Sequence, residues 1–131
     1  MKTRKPTTSK KYFTVAEANA VLPLARSIVR DIAELANSLQ DRYDRLTADG
    51  ELEDANKEEM EQELEQDQEK IREYVQELQK LGIEIKDFHA GLIDFPSLMG
   101  KREVYLCWKL GEPRVEWWHP IETGIAGRTH L

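Results

Sequence analysis

Seven side chains between positions 94 and 128 could do chemistry: Asp94, Cys107, Glu112, Trp118, His119, Glu122 and Arg128. His119 and Glu122 are three apart, so a turn after His119 would bring an imidazole and a carboxylate to one metal ion. Asp94 would supply a third, oxygen ligand if its segment pairs with the neighbouring strand. A His/carboxylate set of this kind suits zinc or iron, which makes a divalent metal the cofactor to look for. Asp94, Glu112, Trp118, His119 and Arg128 form a second, overlapping set suited to a small ligand. In that set Arg128 is the fork for an anion, and Gly124-Ile125-Ala126-Gly127 offers backbone N–H groups.

Each of these readings has a plainer competitor. There is no CxxC or HExxH, and no second histidine at ligand spacing. A single histidine after two tryptophans also fits a strand end bonded to backbone. Cys107 and His119 would make a nucleophilic pair only if the thiol were activated. Between Leu106 and Trp108, in mid-strand, a buried inert thiol is the simpler expectation. The glycines near Arg128 equally suit a C-terminal strap passing closely over Trp118. Trp117 and Trp118 should face opposite ways, leaving at least one surface tryptophan for a partner.

The strands that must position these residues are legible from alternation. Val104, Leu106, Trp108 and Leu110 share one face of a strand, and Tyr105, Cys107 and Lys109 share the other. Gly111-Glu112-Pro113 reads as the turn into a return strand, Arg114 to His119. Ile83–Lys86 and Gly91–Phe95 read as further extended segments, the second ended by Pro96, with a loop from Ser97 to Lys101. Residues 120–131 are rich in glycine and read as irregular.

Upstream, Thr14 and Glu17 have capping-box spacing, and Phe13 with Ala18 can form a hydrophobic staple. Pro23 cannot donate to the carbonyl four residues back, so a short helix, 15–21, is expected before a long one, about 23–47. Leu22, Ala25, Val29, Ile32, Ala36, Leu39, Tyr43 and Leu46 recur in steps of three and four, a heptad seam. A second seam, Met60, Leu64, Asp67, Ile71, Tyr74, Leu78 and Leu81, places a helix over about 51–81. Asp49-Gly50 turns the chain between them, and Gly82 closes the second helix. The pairing sets Leu78 near Leu22, Ile71 near Val29 and Leu64 near Ala36. Asp67 interrupts the seam, either at its margin or paired with a base such as Arg30.

The expected fold is therefore α+β. A long antiparallel, coiled-coil-like helical hairpin (14–81) packs with a small C-terminal antiparallel sheet and strap (82–131), as one domain over 12–131. Residues 1–11 hold five bases, no acid and little apolar surface, and read as a disordered basic tail. Residues 51–69 hold ten acids and one base, an acidic tip expected to be mobile.

The net charge of −6 argues against nucleic-acid binding, apart from weak contacts through the tail. No apolar run is long enough to span a bilayer, and the single cysteine forms no intrachain disulfide, so a cytoplasmic protein without membrane contact is expected.

The block GLIDFPSLMGKREVYLCWKLGEPRVEWWHPIETGIAGR and the opening FTVAEANAVLPL resemble a bacterial family catalogued as domain of unknown function 2203. The resemblance runs from Phe13 to Arg128. It implies the same hairpin-plus-sheet fold and no activity. The leading functional expectation is a non-enzymatic interaction protein, a homodimer or a holder of another protein. The alternative is a small metal- or anion-binding domain, possibly enzymatic, using the His/Glu/Arg cluster.

Overall fold

The computed structural model describes residues 10–49 and 54–131. Two helices come first, α1 (Val15–Asp49) and α2 (Asp54–Lys80). Five strands follow: β1 (Glu84–Asp87), β2 (Leu92–Met99), β3 (Arg102–Lys109), β4 (Trp117–Pro120) and β5 (Thr129–His130). They form one antiparallel sheet in chain order, with a short 3₁₀ turn at Gly124–Gly127 between β4 and β5. The fold is α+β, a helical hairpin laid against a five-stranded sheet. No helix among the described residues is long and apolar enough to cross a membrane.

The start of α1 follows its sequence signals. The Thr14 N–H donates to the Glu17 carboxylate at 2.9 Å, and the Glu17 N–H donates to Thr14 Oγ1 at 3.1 Å. These two bonds satisfy donors that a helix start leaves unpaired, and they hold the Glu17 carboxyl below its usual range. Phe13 and Ala18 are both buried, as a staple requires.

Pro23, however, does not divide the helix. It lies inside a continuous α1 of 35 residues. Ala18, Leu22 and Ala25 flank it and are almost fully buried, so breaking the helix there would withdraw three core contacts. Asn19 anchors the same turn to the sheet side of the molecule. Its amide donates to the Val115 carbonyl at 3.1 Å and accepts from the Val115 N–H at 2.8 Å. Val115 is buried, so Asn19→Ala strands its N–H. The expected loss is about 1–3 kcal/mol in urea unfolding.

β2 also runs on where an end was expected. It continues through Pro96 to Met99 and pairs with β3 along its whole length. Pro96 is tolerated because β1 reaches only as far as Asp94, so no ladder donor is missing on that side. The Pro96 carbonyl instead accepts from the Phe13 N–H at 2.7 Å, and the Ser97 hydroxyl donates to the Phe13 carbonyl at 2.6 Å. Leu98 to Arg102 make a tight hairpin rather than an open loop. The return strand is shorter than its alternation suggested, since Val115 is bonded to Asn19 and pairing with β3 starts only at Trp117.

The core lies between α1, α2 and one sheet face. Leu22, Val29, Ile32, Ile71 and Leu78 meet Ile93, Phe95, Leu106 and Trp108 there. At Gly91 the chain entering β2 passes close to α1. The Gly91 φ is +71°, and an added Cβ would stand 2.8 Å from Leu110 Cβ and 2.9 Å from Val29 Cγ1. Asp67 pairs with Arg42 rather than Arg30, and both side chains are half-buried. The turn at Gly50 and the basic tail, except Lys10 and Lys11, lie outside the described residues. Lys10 itself is tied to Glu103 at 2.6 Å.

Candidate metal centre

The sheet face turned away from the helices carries the chemistry. Register sets Asp94 opposite Cys107, and Cys107 opposite Trp117. His119 stands opposite Tyr105. Side chains alternate along a strand, so Asp94, Tyr105, Cys107, Trp117 and His119 all rise from this outer face. An outer face normally meets water, yet Asp94, Cys107 and His119 are 2 %, 0 % and 3 % exposed. A buried acid, thiol and imidazole on one patch is the most unusual feature of the molecule.

Asp94 on β2 and His119 on β4 reach towards each other across β3. His119 Nδ1 is 2.8 Å from the Pro120 carbonyl oxygen. A carbonyl only accepts, so this bond places a proton on Nδ1 and directs Nε2 at Asp94. Nε2 lies 3.0 Å from each Asp94 oxygen. The Cys107 thiol completes the group, and one ligand atom from each of the three residues lies within 4.8 Å of the other two.

Electrostatics follow from burial. Loss of water raises the Asp94 carboxyl above its ordinary range, against the lowering effect of His119 and the Cys107 thiol. Burial, with the adjacent Asp94 charge, pushes the Cys107 thiol up to about 12, although Arg128 opposes this. A thiol held protonated in this way is a poor nucleophile, which speaks against an unaided Cys107–His119 nucleophilic pair.

Two lids cover the patch. The Tyr105 ring packs 5.5 Å from the His119 ring, and its hydroxyl donates to Glu84 at 3.0 Å. Lys86 bonds the same Glu84 carboxylate at 2.8 Å and lies over the Tyr105 ring. On the other side Arg128 sits above the Trp117 ring, its guanidinium carbon 4.9 Å from the centroid. Arg128 is ion-paired with Glu112 and lies beside the Cys107 thiol.

The expected set is thus only partly gathered. Asp94 and His119 meet, and Glu112 and Arg128 stand at the edge of the same patch. Trp118 does not join them. It pairs with Leu106 on the opposite face and packs against the core. The strap crosses Trp117 instead of Trp118, because β5 pairs alongside β4 and carries Arg128 onto the outer face. Glu122 is also apart. The chain does turn at 121–123, directly after β4, but the turn leaves Glu122 facing solvent rather than the buried His119. The Glu122 side chain is 75 % exposed and faces Arg102 at 3.8 Å. Cys107 takes the place proposed for it. The sequence contained a signal for this: Cys107 and His119 alternate in phase on strands that a hairpin makes neighbours.

The fold and the patch can be set beside known proteins. Residues 11–131 match the model of a family described as an uncharacterized conserved protein, DUF2203. The chain belongs to that family. The match includes both helices, the whole sheet and all three residues of the buried cluster. No curated protein and no solved structure matches the chain.

Proposed function

We propose that this DUF2203 chain is a metal-binding domain that takes a zinc-like divalent ion through Asp94, Cys107 and His119. The observation that carries the reading is the convergence of three different metal-ligating atoms within 4.8 Å on a buried patch. Zinc bonds of about 2.0–2.3 Å in a tetrahedral arrangement hold neighbouring ligand atoms about 3.3–3.5 Å apart. The Nε2–Oδ separation of 3.0 Å is already close to that spacing. The remaining edges need contract by no more than roughly 1.3 Å.

Three further features support the reading. The Nδ1 bond to a backbone carbonyl is the usual outer support of a metal-bound histidine. One thiolate, one carboxylate and a neutral imidazole cancel the charge of a divalent ion, so the buried site would be neutral overall. Thiolate and imidazole select against magnesium and calcium, which want oxygen ligands. Three protein ligands leave a fourth position for water or an incoming group, as in catalytic zinc sites. Whether chemistry follows depends on what reaches that position.

The test uses cobalt(II) as a spectroscopic stand-in for zinc. The full chain, stripped with chelator, should take up one equivalent. It should develop thiolate-to-cobalt charge-transfer absorption together with ligand-field bands of tetrahedral intensity. Zinc should bleach both. Cys107→Ser should lose the charge-transfer band, and His119→Ala should lose binding at least tenfold. A stripped protein that shows no thiolate band at millimolar cobalt would refute the assignment.

A further inference from the structure

A second feature lies on the helical arm, away from the buried cluster. An open groove of about 410 Å³ runs along one side of the hairpin beyond its contact with the sheet. Its floor is apolar: Ala36 and Leu39 from α1, Leu64 and Ile71 from α2, and Phe88 from the β1–β2 turn. The four helical residues among them are seam positions of α1 and α2. Two helices alone cannot bury a seam from both sides, which is why bundles recruit a third or fourth. Phe88 is 40 % exposed at the end near the sheet. The turn that carries it is firmly built: His89 Nδ1 contacts Asn37 Oδ1 at 3.0 Å, and the Asp87 carboxylate accepts from the N–H groups of His89 and Ala90.

Charge decides what fits there. Glu61 and Glu65 stand one helical turn before the groove residues Leu64 and Gln68, and both are exposed. On the α1 side Asp44 accepts from the groove residue Gln40 at 3.0 Å. α2 as a whole carries ten acidic and four basic side chains. A second copy of this chain would set one acidic arm against another. Arg72 also lines the groove, but it is ion-paired with Glu69 of its own helix, so the rims are acidic on balance. An apolar floor between such rims calls instead for a helix with leucine-like anchors at i, i+3 or i+4 and lysine or arginine on its flanks.

We infer that the arm groove is the docking site for a basic amphipathic helix of a partner protein. The groove-lining stretch from Ala36 to Tyr43 gives room for about two helical turns, at 1.5 Å per residue. The helix lies on the apolar floor, and its basic flanks meet Glu61, Glu65 and Asp44. This site is independent of the metal cluster.

The probe is a labelled 18-residue leucine/lysine peptide with all leucines on one helical face. Two controls accompany it, a scrambled peptide of the same composition and a leucine/glutamate version. Anisotropy titration of the full chain is run in about 0.15 M salt, where exposed charges more than a Debye length apart are screened. The amphipathic basic peptide should bind at least tenfold tighter than its scramble, and the acidic version should not bind. Leu64→Glu and Phe88→Glu should each weaken binding tenfold or more. Leu24→Glu adds the same charge at a 54 % exposed leucine that does not line the groove, and should change it less than twofold. Phe88 is a turn residue, so its variant answers the question even if Leu64→Glu unfolds the arm. Equal binding of the scramble, or equal loss from Leu24→Glu, would mean charge attraction only and overturn the proposal. So would a native mass of two chains that Phe88→Glu reduces to one, because the groove would then be covered by a second copy.

Discussion

Trp108→Ala should cost about 3–5 kcal/mol and leave little folded protein at 37 °C. Trp108 is fully buried and meets Ile93 across the β2–β3 ladder. Its removal opens a cavity that sheet and helices cannot both close. The loss reaches beyond packing. The Trp108 indole N–H donates to the Glu112 carbonyl at 3.1 Å. The Glu112 carboxylate in turn accepts from the Lys109 N–H at 2.7 Å and pairs with Arg128. The indole therefore holds the turn that holds the arginine beside Cys107. Trp108→Phe keeps most of the volume and drops only the donor, so its cost should be smaller, about 1–2 kcal/mol. Urea unfolding at neutral pH distinguishes the two. If Trp108→Ala lost less than about 1 kcal/mol, the sheet–helix core described above would be the wrong core.

That core was largely legible in the sequence, and the reasons are local. The Thr14–Glu17 box, the Gly82 stop and the Val104/Leu106/Trp108 alternation each depend on neighbours within a few residues. What misled was also local. Pro23 and Pro96 read as boundaries because proline lacks a donor. Whether that donor is needed depends on distant partners. At Pro23, buried Ala18, Leu22 and Ala25 outweigh one lost helix bond. At Pro96, β1 ends before the position where a donor would be missed. Such outcomes are set by tertiary contacts that no window of sequence contains.

The candidate centre divides in the same way. Asp94 and His119 were identifiable by residue type. Glu122 does not join them: the expected turn forms at 121–123, but it points the Glu122 side chain into solvent. Cys107 read as an inert strand residue. As a protein without metal it is one, with its thiol held protonated. Its place between Asp94 and His119 follows from register across three strands, and register depends on every turn being right. Grouping Trp118 with His119 went against the strand alternation itself, which puts these sequence neighbours on opposite faces.

Saturating zinc should raise the stability of the metal-free protein by about 2.7 kcal/mol when free zinc is a hundredfold above its dissociation constant. For a chain of this size that corresponds to roughly 10 °C in Tm. The gain should vanish in Cys107→Ser and in Asp94→Asn, but for different reasons. Serine is a weak zinc ligand that keeps its proton. The asparagine amide can still bond His119 Nε2, so Asp94→Asn should fold with nearly unchanged stability and yet ignore zinc. Asp94→Ala, by contrast, leaves a buried imidazole nitrogen without its partner, and should destabilise the metal-free protein by about 1–3 kcal/mol. The dependence on pH has a definite sign. Burial holds the Cys107 thiol protonated up to about 12, so metal uptake at neutral pH must expel that proton. Apparent affinity should then rise close to tenfold per pH unit, between about 6 and 8, and zinc-linked stabilisation should fall as the solution is acidified. Zinc stabilisation that is independent of pH, or that survives in Cys107→Ser, would mean that the ion sits elsewhere. The buried Asp94–His119 contact would then be a purely structural brace between β2 and β4.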